Sequence, residues 1–235
     1  MFMYVFFLNK TYVKFVYEDT FQEKIILTLK GGQKMLFAQK KSFIDINDNC
    51  AMINFARLFE SYVTSNIDST YKNLIILCIG TDRSTGDSLG PIVGYKLANL
   101  CYDNMCVYGT LDDPVHAKNL TSKITDIKNN YRDPFIVAID ACLGYQENVG
   151  HINISNGPIY PGAGVNKNLL PVGNINITGI VNTSGYMEYF VLQNTRLNVV
   201  MKMADIITGG IMYCIDDIYK NLSFVTQSKI PEVSI

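Results

Sequence analysis

Three aspartates stand where chemistry could begin. Asp82 and Asp87 lie in the polar stretch TDRSTGDSLG (81–90), between the apolar run Leu74–Ile79 and a second apolar-periodic segment opened by Pro91. Asp140 directly follows another fully apolar run, Phe135–Ile139. Taken singly, Asp87 suits a helix cap and Asp140 a strand end, and spacing alone slightly favours those routine roles. Taken together they suggest more. If the strands carrying them are neighbours, both carboxylates lie in one crevice at the carboxyl ends of a parallel sheet. Two such carboxylates do not both ionise cheaply, so one keeps a proton while the other can deprotonate water. That pair suits amide hydrolysis without a metal.

Other groups give weaker signals. The stretch PGAGVN (161–166) can offer the amides of Gly162 to Gly164 to an oxyanion or a phosphate, with Asn166 beside them. Asp82 and Asn182 are further candidate binding residues. His116 and His151 have no Cys or Glu at ligand spacing, so no metal site is expected. No GxSxG elbow occurs. Cys142 sits so near Asp140 that the carboxylate would raise its thiol pKa, which argues against thiol catalysis. Glu188 reads as a surface acid favoured by a helix start. A phosphate-handling hydrolase is a weaker reading, with only Arg83 and Lys167 near the two loops.

These residues need a frame. Leu74–Ile79, the loop and the segment Ile92, Val93, Leu97, Leu100 read as strand, loop and crossover helix. Met105–Tyr108 reads as a second strand, a helix is predicted to start at Pro114, and Phe135–Ile139 is a third strand closed by Asp140. Three βα units in succession imply a doubly wound, mostly parallel α/β sheet in which strand order 2-1-3 makes strands one and three neighbours. Asn49–Thr64 predicts an amphipathic helix capped by Asp48 or Asn49. Val149–Ile154 and Ile175–Val181 alternate as added strands. Tyr186–Ala204 predicts one long helix with Met187, Phe190, Leu197, Val200, Met203 and Ala204 inward. Thr208–Gly210 is expected to break it before a last helix, Ile211–Leu222, with a frayed tail after Phe224.

The 235 residues, 48% apolar and 17% charged, describe a globular chain, and the net charge of −1 gives no basic surface for nucleic acid or anionic lipid. Six cysteines without a CxxC pair read as reduced thiols of a cytoplasmic protein. No stretch reads as the roughly 20 apolar residues that span a bilayer, so no membrane is expected. Residues 1–34 fit nothing downstream. Lys30-Gly31-Gly32 can be encoded by AAA GGA GGN, a purine-rich ribosome-binding sequence at initiator distance from Met35. The expected division is therefore 1–34 as a non-native or disordered extension, with a β-hairpin as the alternative, and 35–235 as a single α/β domain.

At this point a family resemblance enters. The blocks GTDRSTGDSLGP (80–91), YGTLDDPVHAKNL (108–120), IVAIDACLG (136–144), PIYPGAGVNKNLLPVG (158–173) and GIVNTSGYMEYFVLQNTRLNVVMKMA (179–204) closely resemble the YyaC-type sporulation proteins, a family described as spore proteases. The match runs from about Met35 almost to the C-terminus. More distantly the chain resembles germination proteases and hydrogenase maturation endopeptidases, which share a phosphorylase/hydrolase-like α/β fold. The germination-protease blocks carry an essential aspartate onto Asp87 and a second onto Asp140, while their loop histidine is Tyr160 here. The hydrogenase peptidases also use a histidine to grip nickel, and it would fall near Gly185, where there is none. The resemblance implies a sporulation-associated peptidase acting on a protein or peptide substrate, such as a spore protein, without a cofactor. A non-catalytic sporulation factor binding a partner through the same crevice is the alternative, and oligomeric state is left open.

Overall fold

Leu74–Ile79 and Phe135–Ile139, the two most apolar runs near the candidate aspartates, lie side by side at the centre of a six-stranded sheet. The structure is a computed structural model. It describes residues 3–8, 11–17, 23–28, 34–36, 43–68, 70–100, 102, 104–161 and 170–227, with side chains described between residues 43 and 220. The chain divides into two units, Met1–Ser42 and Phe43–Ile235.

In the first unit, β1 (Met3–Leu8), β2 (Thr11–Tyr17), β3 (Glu23–Thr28) and β4 (Lys34–Leu36) form an antiparallel sheet in that order. Met35 pairs with Leu27 inside it.

The second unit contains β5 (Phe43–Asp45), α1 (Ala51–Asn66), β6 (Asn73–Cys78), α2 (Leu89–Leu97), β7 (Met105–Tyr108) and α3 (Leu120–Asn130). It continues with β8 (Pro134–Gly144), β9 (His151–Asn156), β10 (Ile175–Thr183), α4 (Glu188–Gln193) and α5 (Leu197–Gln227). The sheet order is β5-β9-β10-β8-β6-β7. Strands β10, β8, β6 and β7 run parallel, β9 is antiparallel to β10, and β5 is antiparallel to β9. The expected order 2-1-3 is the observed β7-β6-β8, and the fold is α/β with a mostly parallel sheet.

Side-chain alternation divides the core between the two sheet faces. Phe135, Val137 and Ile139 of β8 join the larger cluster with α1, α2 and α5, whereas Ile136 and Ala138 join the smaller one with Leu120, Ile124 and Ile127 of α3. The α3 helix starts at Leu120 rather than Pro114. Val115 is instead bridged to Ile79, and Asn119 closes the turn by accepting the His116 N–H and donating to the Pro114 carbonyl.

The C-terminal helices differ most from expectation. The long helix breaks at 194–196, and α5 then runs unbroken through Thr208–Gly210. The break is held from outside. Asn182 Nδ2 donates to Thr195 Oγ1 and to the Val191 carbonyl. Gly209 and Gly210 serve close packing against α1: a Cβ on Gly210 would lie 2.4 Å from Phe55 Cδ1. Because it is continuous, Leu197–Lys220 is long and apolar enough to cross a membrane by length and composition, contrary to expectation. Its apolar face is core, however, with Val200, Met203, Ala204, Ile207, Ile211, Ile215 and Ile218 buried. Met187, Phe190 and Leu197 are not inward, each being about half exposed.

Candidate active site

Asp140 is not at the end of its strand. Strand β8 continues to Gly144 because β10 keeps pairing with it, whereas the last β6 pair is Cys78 with Ile139. Asp140 therefore occupies the register position at which β6 turns away, beside the gap this opens. The chain leaves β6 through α2 toward β7 on one side of the strand order and leaves β8 toward β9 and β10 on the other, so this is the topological switch point. By alternation Asp140 points to the α3 side. It is buried, at 8% exposure, and its Oδ1 accepts the Ala141 N–H at 2.8 Å.

Asp87 is brought there by the fold of the loop after β6. Ile79 N donates to the Ile139 carbonyl and Gly80 N to the Val115 carbonyl, which holds the chain against β8 and the approach to α3. Gly80 has φ +138, and a Cβ on it would lie 2.0 Å from the Asp87 carbonyl oxygen. Only glycine permits so close a return. Thr81 N then donates to that same carbonyl at 3.0 Å. The short 3-10 turn Gly86–Ser88 carrying Asp87 packs on β8, α4 and α5. Ser88 holds the cap position of α2, and no side-chain cap bond is made, so helix capping is not what Asp87 does.

Electrostatics link the two acids. Burial raises the Asp87 carboxyl to about 6, with the Thr81 amide opposing the rise. Asp140 is raised well above the ordinary carboxylate range, first by burial and then by the charge of Asp87. Both acids are thus biased toward holding a proton, Asp140 by burial and by the charge of Asp87, and Asp87 ionises near 6. Cys142, two residues along the same strand, is pushed up to about 12 by burial and by Asp140, which removes it as a nucleophile near neutrality, as its position in the sequence suggested.

The remaining candidates fall in different places. Asp82 is exposed and lines a neighbouring groove of about 410 Å³ with Thr85, Ile92, Tyr95, Leu197 and Met201, not the carboxylate pair. Asn182 acts as the clamp described above, its Oδ1 also accepting the Thr183 N–H. Gly162, Gly164 and Asn166 lie outside the described residues. The loop's base is fixed by reciprocal Ile159–Val172 bonds, and Gly173 packs against Ala138, on the Asp140 side of the sheet.

Of the three buried hydroxyls that lack a geometric partner among the described residues, two lie near the pair: Ser84, in the Asp87 loop, and Thr178, opposite Asp140 in the β10–β8 pair. Sequence reasoning passed over both. For Thr178 the available signal was a polar residue on the non-apolar phase of INITGIV, next to a strand carrying an aspartate.

No group of three or more His, Cys, Asp or Glu among the described residues is disposed to hold a metal ion. At Gly185, where the hydrogenase peptidases place their histidine, there is no side chain to coordinate, so the residues do not fit a nickel-gripping role.

Fold and geometry thus define an α/β protein with a buried carboxylate pair at the switch point of a mostly parallel sheet. The chain belongs to the family described as Protein of unknown function (DUF1256), whose model matches residues 43–210 and so spans the whole of this site. Over 183 residues it is 48% identical to the "Uncharacterized protein YyaC" of Bacillus subtilis (strain 168), covering 77% of this chain and 87% of that protein. The motif resemblance pointed to the same family. Among solved structures it is similar to the [NiFe] hydrogenase maturation protease HycI from Thermococcus kodakarensis KOD1, at 16% identity and a TM-score of 0.43, covering 71% of this chain and 99% of that one.

Proposed function

We propose that the protein is a peptidase that hydrolyses a peptide bond in a protein substrate through Asp87 and Asp140. The carrying observation is the shared burial of two carboxyls, Asp87 raised to about 6 and Asp140 raised well above the ordinary carboxylate range with the charge of Asp87 as a contributing cause. In this reading Asp87 acts as the ionised member and Asp140 holds the proton, which its burial and the charge of Asp87 favour. Asp87 takes a proton from water as the oxygen attacks the scissile carbonyl, and Asp140 gives its proton to the carbonyl oxygen. Collapse of the resulting gem-diol reverses both transfers: Asp87 protonates the departing nitrogen and Asp140 recovers a proton from a hydroxyl. Atoms and charge balance, and the pair ends as it began. A cytoplasmic spore protein is the proposed substrate, a reading supported by the motif resemblance and by the relative in a Bacillus.

The test is mass spectrometry of spore extract incubated with wild type, Asp87→Asn or Asp140→Asn protein. New termini that appear only with wild type are expected. Identical peptide maps from all three would remove the peptidase reading.

A specific observation favours a second reading, a non-catalytic factor that binds a protein partner. Tyr186, Met187, Tyr189, Phe190 and Leu197 are all more than half exposed around α4, which packs on the turn carrying Asp87. An apolar strip of this kind is a docking feature whether or not a bond is cut.

A further inference from the structure

We propose that the Thr178 hydroxyl is a third catalytic group of this site and donates a hydrogen bond to the oxygen of the scissile carbonyl as it takes on charge. The inference rests on the peptidase reading and adds a residue to it.

Three observations carry it. First, register: Thr178 pairs directly with Asp140 in the parallel β10–β8 ladder, and the β10 irregularity comes only later, between Ile180 and Asn182. Paired residues of parallel strands point to the same face, so both side chains leave the sheet together about 4.8 Å apart. Second, satisfaction: the Thr178 hydroxyl is buried with only the Cys142 thiol, a weak acceptor, beside it. A buried hydroxyl without a strong acceptor is costly, and native proteins keep few of them, so a substrate oxygen is a better partner than the thiol. Third, order across the sheet: Asp87 comes from the loop after β6 on one side of β8, and Thr178 comes from β10 on the other. Asp140 stands between them.

That order separates the tasks. Water lies between Asp87 and Asp140, and the carbonyl oxygen lies between Asp140 and Thr178. The spacing of adjacent strands, about 4.8 Å, is close to what one oxygen bridges when it accepts two hydrogen bonds of about 2.8 Å. The neighbourhood is contiguous: Asp140 and the Thr178 hydroxyl both act on the Cys142 thiol, the first raising its pKa and the second opposing the rise. Threonine also has the chemistry required, an O–H that donates without competing for the proton held by Asp140.

The test compares Thr178→Val, which keeps the shape and removes the hydroxyl, with Thr178→Ser, which keeps the hydroxyl. Each is assayed on the bond that wild type cleaves in spore extract, and its thermal midpoint is measured. For Thr178→Val the expected result is a fall in kcat of about 10²-fold at unchanged KM, with a midpoint equal to or above wild type. Thr178→Ser should retain most of the rate. A lowered midpoint for Thr178→Val would make the hydroxyl structural, and an unchanged kcat would remove it from catalysis. Cleavage lost in Asp87→Asn but kept in Thr178→Val would overturn this inference alone, whereas no cleavage by wild type would overturn it together with the peptidase reading.

Discussion

The charge of Asp87 raises the pKa of Asp140, although 53 positions of sequence separate the two and Asp140 lies in the middle of a strand. Burial is the larger cause, and both acids share it. For the proposed acid–base pair, this asymmetry predicts a pH profile. Activity should rise with pH as Asp87 ionises, through about 6. It should fall again where Asp140 loses its proton, at a higher pH. A kcat/KM profile measured from pH 4 to 10 checks this. A rate that is flat through pH 6 would detach Asp87 from the chemistry.

The same burial costs stability, and its sign is fixed. Both folded pKa values lie above the ordinary 3.8, so the folded state binds more protons than the unfolded one above about pH 4. Stability therefore falls as pH rises from 4, levelling above about 6 for Asp87 and further up for Asp140. The Asp87 shift corresponds to at most about 3 kcal/mol. Asparagine mimics the neutral acid and carries no such cost. Asp140→Asn and Asp87→Asn should melt above wild type at pH 8 and level with it at pH 4, while losing activity. Variants less stable than wild type at pH 8 would show that the carboxylates support the fold instead.

Much of this arrangement was legible because it is local. Apolar runs ending in polar loops mark β6, β7 and β8, and the crossover pattern places β6 beside β8. What misled was set by distant partners. Nothing within Phe135–Ile139 shows that β10 will carry β8 on past Asp140. Thr208-Gly209-Gly210 has the composition of a helix breaker, but the space those glycines leave is filled by Met52 and Phe55 of α1. The real break at 194–196 depends on Asn182, a strand residue. Thr178 gave only a faint signal for the same reason, since a threonine in an alternating strand is ordinary until its neighbour is known.

Two glycines separate rigid from forgiving contacts. A Cβ on Gly90 would lie 2.0 Å from the Ile79 carbonyl oxygen, and backbone cannot move aside. Gly90→Ala should push α2 off the end of β6 and shift the Asp87 turn beside it, costing about 3 kcal/mol. A Cβ on Gly209 meets only Met52 Sδ, at 2.7 Å, the far part of a flexible side chain. Gly209→Ala should be within about 1 kcal/mol of wild type, since the helix-propensity gain offsets the repacking. Urea titrations of both variants give the comparison, and equal midpoints would contradict it.

The last prediction concerns the apolar strip. Tyr189 and Phe190 are both more than half exposed on α4, so neither contributes much to the core. Replacing both with serine should change stability by no more than about 1 kcal/mol. If the strip holds substrate beside the turn of Asp87, the loss appears in binding, because burying such side chains stabilises a complex by roughly 1 kcal/mol or more each. KM should rise roughly tenfold or more with kcat unchanged, the mark of an interaction made equally in the ground and transition states. Asp140→Asn should show the opposite pattern, with binding retained and turnover lost. A double-serine variant with unaltered KM would leave the strip outside substrate recognition. One that lost kcat instead would mean that α4 positions the Asp87 turn rather than the substrate.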